Sequence, residues 1–146
     1  MRLARRKLQR ALDRALKKWG GSGGDLSFAV VDDPAMRRLN RRFTGRRGST
    51  DVLAFPLGDG PGESGEIVVC AEVARRQAAR RSVSVWMELL LYCLHGFLHL
   101  EGHDDHGRAK NRRMRLAERE MLADAGLAPD VVKRLVPDSR LGGGLP

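Results

Sequence analysis

Aromatic side chains are scarce in this chain: one Tyr, two Trp and four Phe in 146 residues. Proteins that hold single-stranded nucleic acid by stacking successive bases need such platforms, so stacking is not the expected mode of any nucleic-acid contact. Cysteine is scarcer still. Cys70 and Cys93 form no CxxC pair and read as free thiols in a reducing compartment. Long apolar runs are missing too, the longest being too short and too interrupted for a membrane span. The N-terminus has basic residues with no apolar signal core behind them, so the expected setting is the cytoplasm. Histidine, finally, is absent everywhere except between His95 and His106, where all four fall.

What the chain has in excess is positive charge. Lys and Arg number 27 against 18 Asp and Glu, giving a net charge of +9 and a pI near 10.7. A polyanion bound through its phosphates is the partner this favours, although arginine on ordinary solvated faces accounts for part of the same excess. The length suits one domain with its own core, placed at residues 1–137, followed by a disordered tail at 138–146 (DSRLGGGLP).

Along the chain, Leu8, Leu12, Ala15 and Leu16 recur at helical spacing among seven basic residues. This predicts an amphipathic basic helix over 3–19 whose leucine stripe packs on the core. LSFAVV (26–31), TDVLAFP (50–56) and EIVVC (66–70) read as strands. The second and third are joined by a glycine-rich loop that suggests antiparallel neighbours and a mixed or antiparallel sheet. Asp32 and Asp33 before Pro34 predict a helix start, and Gly45 its end. On that helix and the loop after it stand Arg37, Arg38, Arg41, Arg42, Arg46 and Arg47, the densest basic stretch outside the N-terminus. Further helices are expected over 71–81, from a Ser84 cap to the histidines, and over 108–125, the last with its Arg and Glu off the apolar face. The sum is an α+β domain with three to four strands and about five helices.

The histidine stretch HGFLHLEGHDDH carries the chemistry. His95 and His99 stand at i and i+4 and so project from one helical face, and Gly102 lets the chain turn back on them. Two imidazoles on a helix, a glycine turn and a ligand from the returning loop make a three-ligand zinc site with a fourth position open. Zinc can lower the pKa of a water there to about 7, which points to hydrolysis. Asp105 has the favoured offset for the third ligand, His106 is second, and His103 and Asp104 remain. Residue 96 is Gly where the metalloprotease signature HExxH has its glutamate, and Glu101 lies at another helical angle, so peptide hydrolysis is disfavoured. For a phosphodiester substrate, Arg46 and Arg47 are the expected catalytic charge on the pentacovalent transition state.

These residues resemble a known family. HGFLHLEGHDDH is similar to the HGxLHLxGxDH signature of the YbeY family of bacterial endoribonucleases, the rRNA maturation factors. LNRRFTGRRGSTDVLAFP (39–56) looks like the family's LNxxYRGxxxxTDVLSFP, and GEIVVCAEVARRQA (65–78) like its GDIxIxxExxxxQA. The resemblance implies an α+β domain around one zinc ion. It implies a single-strand-specific endoribonuclease for 16S rRNA 3′-end maturation and ribosome quality control, with the small ribosomal subunit and its assembly factors as partners. Two positions depart from the pattern: Asp105 stands where the family's third ligand is histidine, and Thr44 stands where the YRG segment has arginine. If that guanidinium is needed, Arg46 or Arg47 must replace it. The alternative reading is a ribosome-assembly RNA-binding protein whose zinc is mainly structural.

Overall fold

The computed structural model describes residues 2–19, 25–58, 64–103 and 106–138. Its elements run α1 (Arg2–Trp19), β1 (Leu26–Val31), α2 (Asp33–Thr44), β2 (Val52–Pro56), β3 (Gly65–Cys70), α3 (Ala71–Arg81), α4 (Val85–Leu100), α5 (Arg108–Asp124) and α6 (Pro129–Leu135). The tail at 138–146 lies outside the described residues except for Asp138, which Arg119 Nη2 pairs with at 2.6 Å.

Three strands form one mixed sheet in the order β1-β3-β2. β3 runs parallel to β1, with Ala29 opposite Val68, and antiparallel to β2, with Leu53 opposite Val68. The central strand is apolar at consecutive positions because both of its faces are covered, the pattern of a strand buried between layers. Ile67 and Val69 face the main core with α4, while Val68 and Cys70 face a smaller cluster around Met36 of α2. Helix α4 sits in the middle of the larger layer, packed against the sheet, α1, α3 and α5. Leu8, Ala11, Leu12 and Ala15 of α1 are buried in that core, so the leucine stripe packs inward and the basic face is left to solvent.

Local chemistry explains most boundaries. Asp32 caps α2 by accepting the Ala35 N–H at 2.9 Å, Pro34 sits in the first turn, and Gly45 in the left-handed conformation (φ 74°) closes it. α3 ends on Ser82 in the same left-handed region (φ 56°). Ser84 occupies the N-cap of α4 but its side chain makes no capping hydrogen bond, contrary to the sequence expectation. α6 is the sixth helix, one more than expected: at seven residues it is too short for periodicity to reveal, yet Val132 and Leu135 close the core with it. A larger correction concerns α5, where Arg115 and Glu118 are buried with Met114 and Met121 instead of standing off the apolar face.

Gly96 is where α4 comes closest to the sheet. A Cβ there would stand 2.8 Å from Ile67 Cγ2 and 3.1 Å from Val52 Cγ2. Gly96→Ala is expected to push helix from sheet at a cost of about 1–3 kcal/mol, lowering the thermal midpoint by several degrees in a circular-dichroism melt. An unchanged midpoint would contradict so close an approach.

Candidate functional site

The last two turns of α4 carry His95 and His99 one turn apart. His99 is exposed; His95 is only 23% exposed and faces α5. There Glu118, with no exposed side-chain surface, places Oε2 2.6 Å from His95 Nδ1. With the Glu118 carboxylate as acceptor, Nδ1 carries the proton and Nε2 keeps its lone pair. Arg115 fixes the carboxylate in turn, Nη1 donating to Oε1 at 2.6 Å and Oε2 at 2.9 Å. This arrangement of a guanidinium, a buried carboxylate and an imidazole is how metal-ligating histidines are commonly oriented.

The other members of the histidine stretch are placed unequally. Gly102 makes the turn at φ 99°. His103 returns its N–H to the Leu98 carbonyl at 3.0 Å and sets its ring edge against Trp19, centroids 6.1 Å apart, so it is engaged with α1. His106 is exposed. Asp104 and Asp105 lie outside the described residues, and among those described no group of three His, Cys, Asp or Glu is gathered as a complete metal site. The donor chemistry at the pair nonetheless fits zinc: two imidazoles at i and i+4, one with its distal nitrogen directed by a buried carboxylate. Gly96 faces the sheet with no room for a side chain, so a glutamate at this position, as in HExxH, would be excluded by packing as well as absent.

Beside His95 opens a cleft of about 510 Å³ between the loop after α2 and the facing sides of α3, α4 and α5. Ser49, Thr50 and Asp51 form one wall, and Arg76, Gln77 and Arg81 of α3 another. At its far end Arg81 Nη1 binds Glu88 at 2.7 Å, a second fully buried carboxylate. Burial and the adjacent Glu88 charge push the Tyr92 hydroxyl far above its usual pKa, and burial pushes the Cys93 thiol up to about 12, so both stay protonated.

The loop is anchored to α2 at both ends. Thr44 Oγ1 donates to the Asn40 carbonyl at 2.7 Å, Asn40 Nδ2 donates to the Gly48 carbonyl at 3.0 Å, and Ser49 Oγ donates to the Asp33 carboxylate. The Ser49 hydrogen bond, with Arg37 beside it, holds the Asp33 carboxyl below its ordinary value. Arg46 and Arg47 are exposed on this loop and do not line the cleft. Arg38, Arg41 and Arg42 are exposed on α2, Arg42 over the Phe43 ring at 5.5 Å, and Arg37 pairs with Asp33 at 2.8 Å. Sequence reasoning thus found the histidine pair and the basic surface but missed Glu118, Arg115 and the cleft arginines. For Glu118 a signal existed: it falls at i+4 from Met114, inside an apolar stripe.

Fold and site together define a small α+β protein with an imidazole pair on a buried helix as its candidate centre, beside an arginine-lined cleft. The family model for Endoribonuclease YbeY matches residues 2–126, and the chain belongs to that family. It is 32% identical over 126 residues to an Endoribonuclease YbeY of Geobacter sulfurreducens, covering 81% of this chain and 84% of the relative. A namesake from Myxococcus xanthus is 39% identical over 115 residues, 75% of this chain, but this chain spans only 39% of its length. Among solved structures, that of TM1509 from Thermotoga maritima matches with a TM-score of 0.63 and 28% identity over 84% of this chain and 81% of its own.

Proposed function

We propose that this protein is a zinc-dependent, single-strand-specific endoribonuclease of the cytoplasm, acting in 16S rRNA 3′-end maturation and ribosome quality control on the small subunit with its assembly factors. The observation that carries the reading is the Arg115–Glu118–His95 chain, which directs Nε2 of an imidazole beside a cleft. On this reading His95, His99 and Asp105, or His106 in its place, hold one zinc ion. When bound, the ion supplies Lewis-acid chemistry for a phosphodiester.

The chain's own residues do the rest. Glu118 keeps the His95 ring in one tautomer and one orientation, and Arg115 holds the Glu118 carboxylate in place. A cleft of about 510 Å³ accepts an unpaired nucleotide and is too small for a duplex, which supports single-strand specificity. Arg37, Arg38, Arg41, Arg42, Arg46 and Arg47, exposed on α2 and the loop after it, hold the RNA backbone on this reading. Because Arg46 and Arg47 stand outside the cleft lining, their charge acts on the incoming strand.

A second reading, an RNA-binding assembly protein with a structural zinc, is favoured by Thr44, whose hydroxyl is committed to Asn40 and offers no cation. One experiment separates the two. Metal-stripped and zinc-reloaded protein is incubated with single-stranded RNA of the 16S 3′ end and with a duplex of the same sequence. The expected result is cleavage of the single strand alone, dependent on reloading. Equal cleavage by stripped protein would defeat the metal reading, and RNA binding without cleavage under zinc, manganese or magnesium would favour the second. Product ends report the attacking group: a 5′-phosphate implicates water, a 2′,3′-cyclic phosphate the ribose hydroxyl. Zinc content of Asp105→Ala beside His106→Ala identifies the third ligand.

A further inference from the structure

Three guanidinium groups line the cleft beside His95, and they are not equivalent. Arg81 and Arg115 each bind a carboxylate that is fully buried, Glu88 at 2.7 Å and Glu118 at 2.6 Å, so their charge is spent inside the protein. Arg76 is exposed on α3 and makes no ion pair among the described residues. Its field reaches the first turn of α2, where it adds, after the Ser49 hydrogen bond and Arg37, to the lowered pKa of Asp33. The same lining holds the amide of Gln77 and the hydroxyls of Ser49 and Thr50, which donate to Asp33 and Asp51. Asp51, the one acid of the lining without an ion pair among the described residues, turns Oδ1 to the Val52 N–H at 2.8 Å and the Thr50 hydroxyl at 3.3 Å.

We propose that Arg76 is a positioning residue that holds one backbone phosphate of the RNA strand in the cleft beside His95, an inference that rests on the endoribonuclease reading above. A planar guanidinium offers two parallel donors to a phosphate's oxygens, and the Gln77 amide in the same lining can satisfy a further oxygen. Sequence alone could not separate Arg76 from its neighbour. Arg75 is as basic and is exposed too, but it lies on the other side of α3, lining an apolar groove with Trp86 and Leu89.

That neighbour supplies the control. Arg76→Gln and Arg75→Gln remove the same charge from the same helix. Binding of fluorescein-labelled single-stranded 16S 3′-end RNA to the full chain is measured by anisotropy in chelator across a salt series, and cleavage kinetics are measured after zinc loading. Arg76→Gln is expected to raise Kd about tenfold and to reduce the slope of log K against log salt by about 0.7, the value for one phosphate contact on a single strand. KM should rise with it more than kcat falls, Arg76→Lys should recover part of the affinity, and Arg75→Gln should match wild type. If Arg76→Gln and Arg75→Gln are indistinguishable in Kd and slope while wild type cleaves RNA, the phosphate contact is wrong and the enzyme reading stands. If the slope change appears but wild type cleaves nothing under any metal, the contact stands and the enzyme reading falls. Wild type that binds no RNA overturns both.

Discussion

His99→Ala is expected to abolish RNA cleavage, by more than about 100-fold, in a protein that melts where wild type does. Changes beside a metal ligand already cost about 10–100-fold, and removal of the ligand itself must exceed that. The fold should not register the change, because His99 is exposed and surface substitutions stay within about 0.5 kcal/mol. His95→Ala should lose cleavage equally but also lose stability, since Glu118 is fully buried and forfeits a partner at 2.6 Å. The measurements are zinc content by mass spectrometry, single-turnover cleavage and thermal melts for both variants. Cleavage that survives His99→Ala at wild-type rate would remove the histidine pair from the mechanism.

Glu118→Ala should give the largest loss of stability of any single change near the site. It takes from Arg115, only 6% exposed, a fully buried carboxylate at 2.6 Å, and breaking such a pair costs about 3–5 kcal/mol. For a chain of this size the melting point should drop by about 10–20 °C. Because that variant can fail by unfolding, Glu118→Gln isolates the positional role. Its amide oxygen can still accept from His95, yet the charge that fixes the tautomer is gone. Zinc affinity is expected to fall about 10–100-fold in a folded protein, and nitrogen NMR of the imidazole should show mixed tautomers. Wild-type affinity together with a single Nδ1–H tautomer would remove the bracing role from Glu118.

The legible parts of the molecule were those written in local pattern. The three strands, the inward leucine stripe of α1, the Asp32 cap and the glycine that ends α2 all follow from periodicity and turn chemistry. So does the imidazole pair, because i and i+4 on a helix share a face whatever the helix packs against. The short α6 escaped for want of enough residues to show a period, and Ser84 took the cap position without making the bond. Arg46 and Arg47 drew attention by density of charge, which identifies a basic surface but not the wall of a cleft.

By itself, then, the sequence determined the α+β elements, the family motifs and which helix carries His95 and His99, since each depends on neighbours within a few residues. Only the tertiary structure decided what those imidazoles meet. Glu118 reaches His95 because α5 packs beside α4, and Arg115 is buried with it because an unpaired carboxylate could not be. Arg76 differs from Arg75 by the side of α3 that faces the cleft. Burial and pairing are set by elements distant in the chain, and they settle which of many like charges remain available to a ligand.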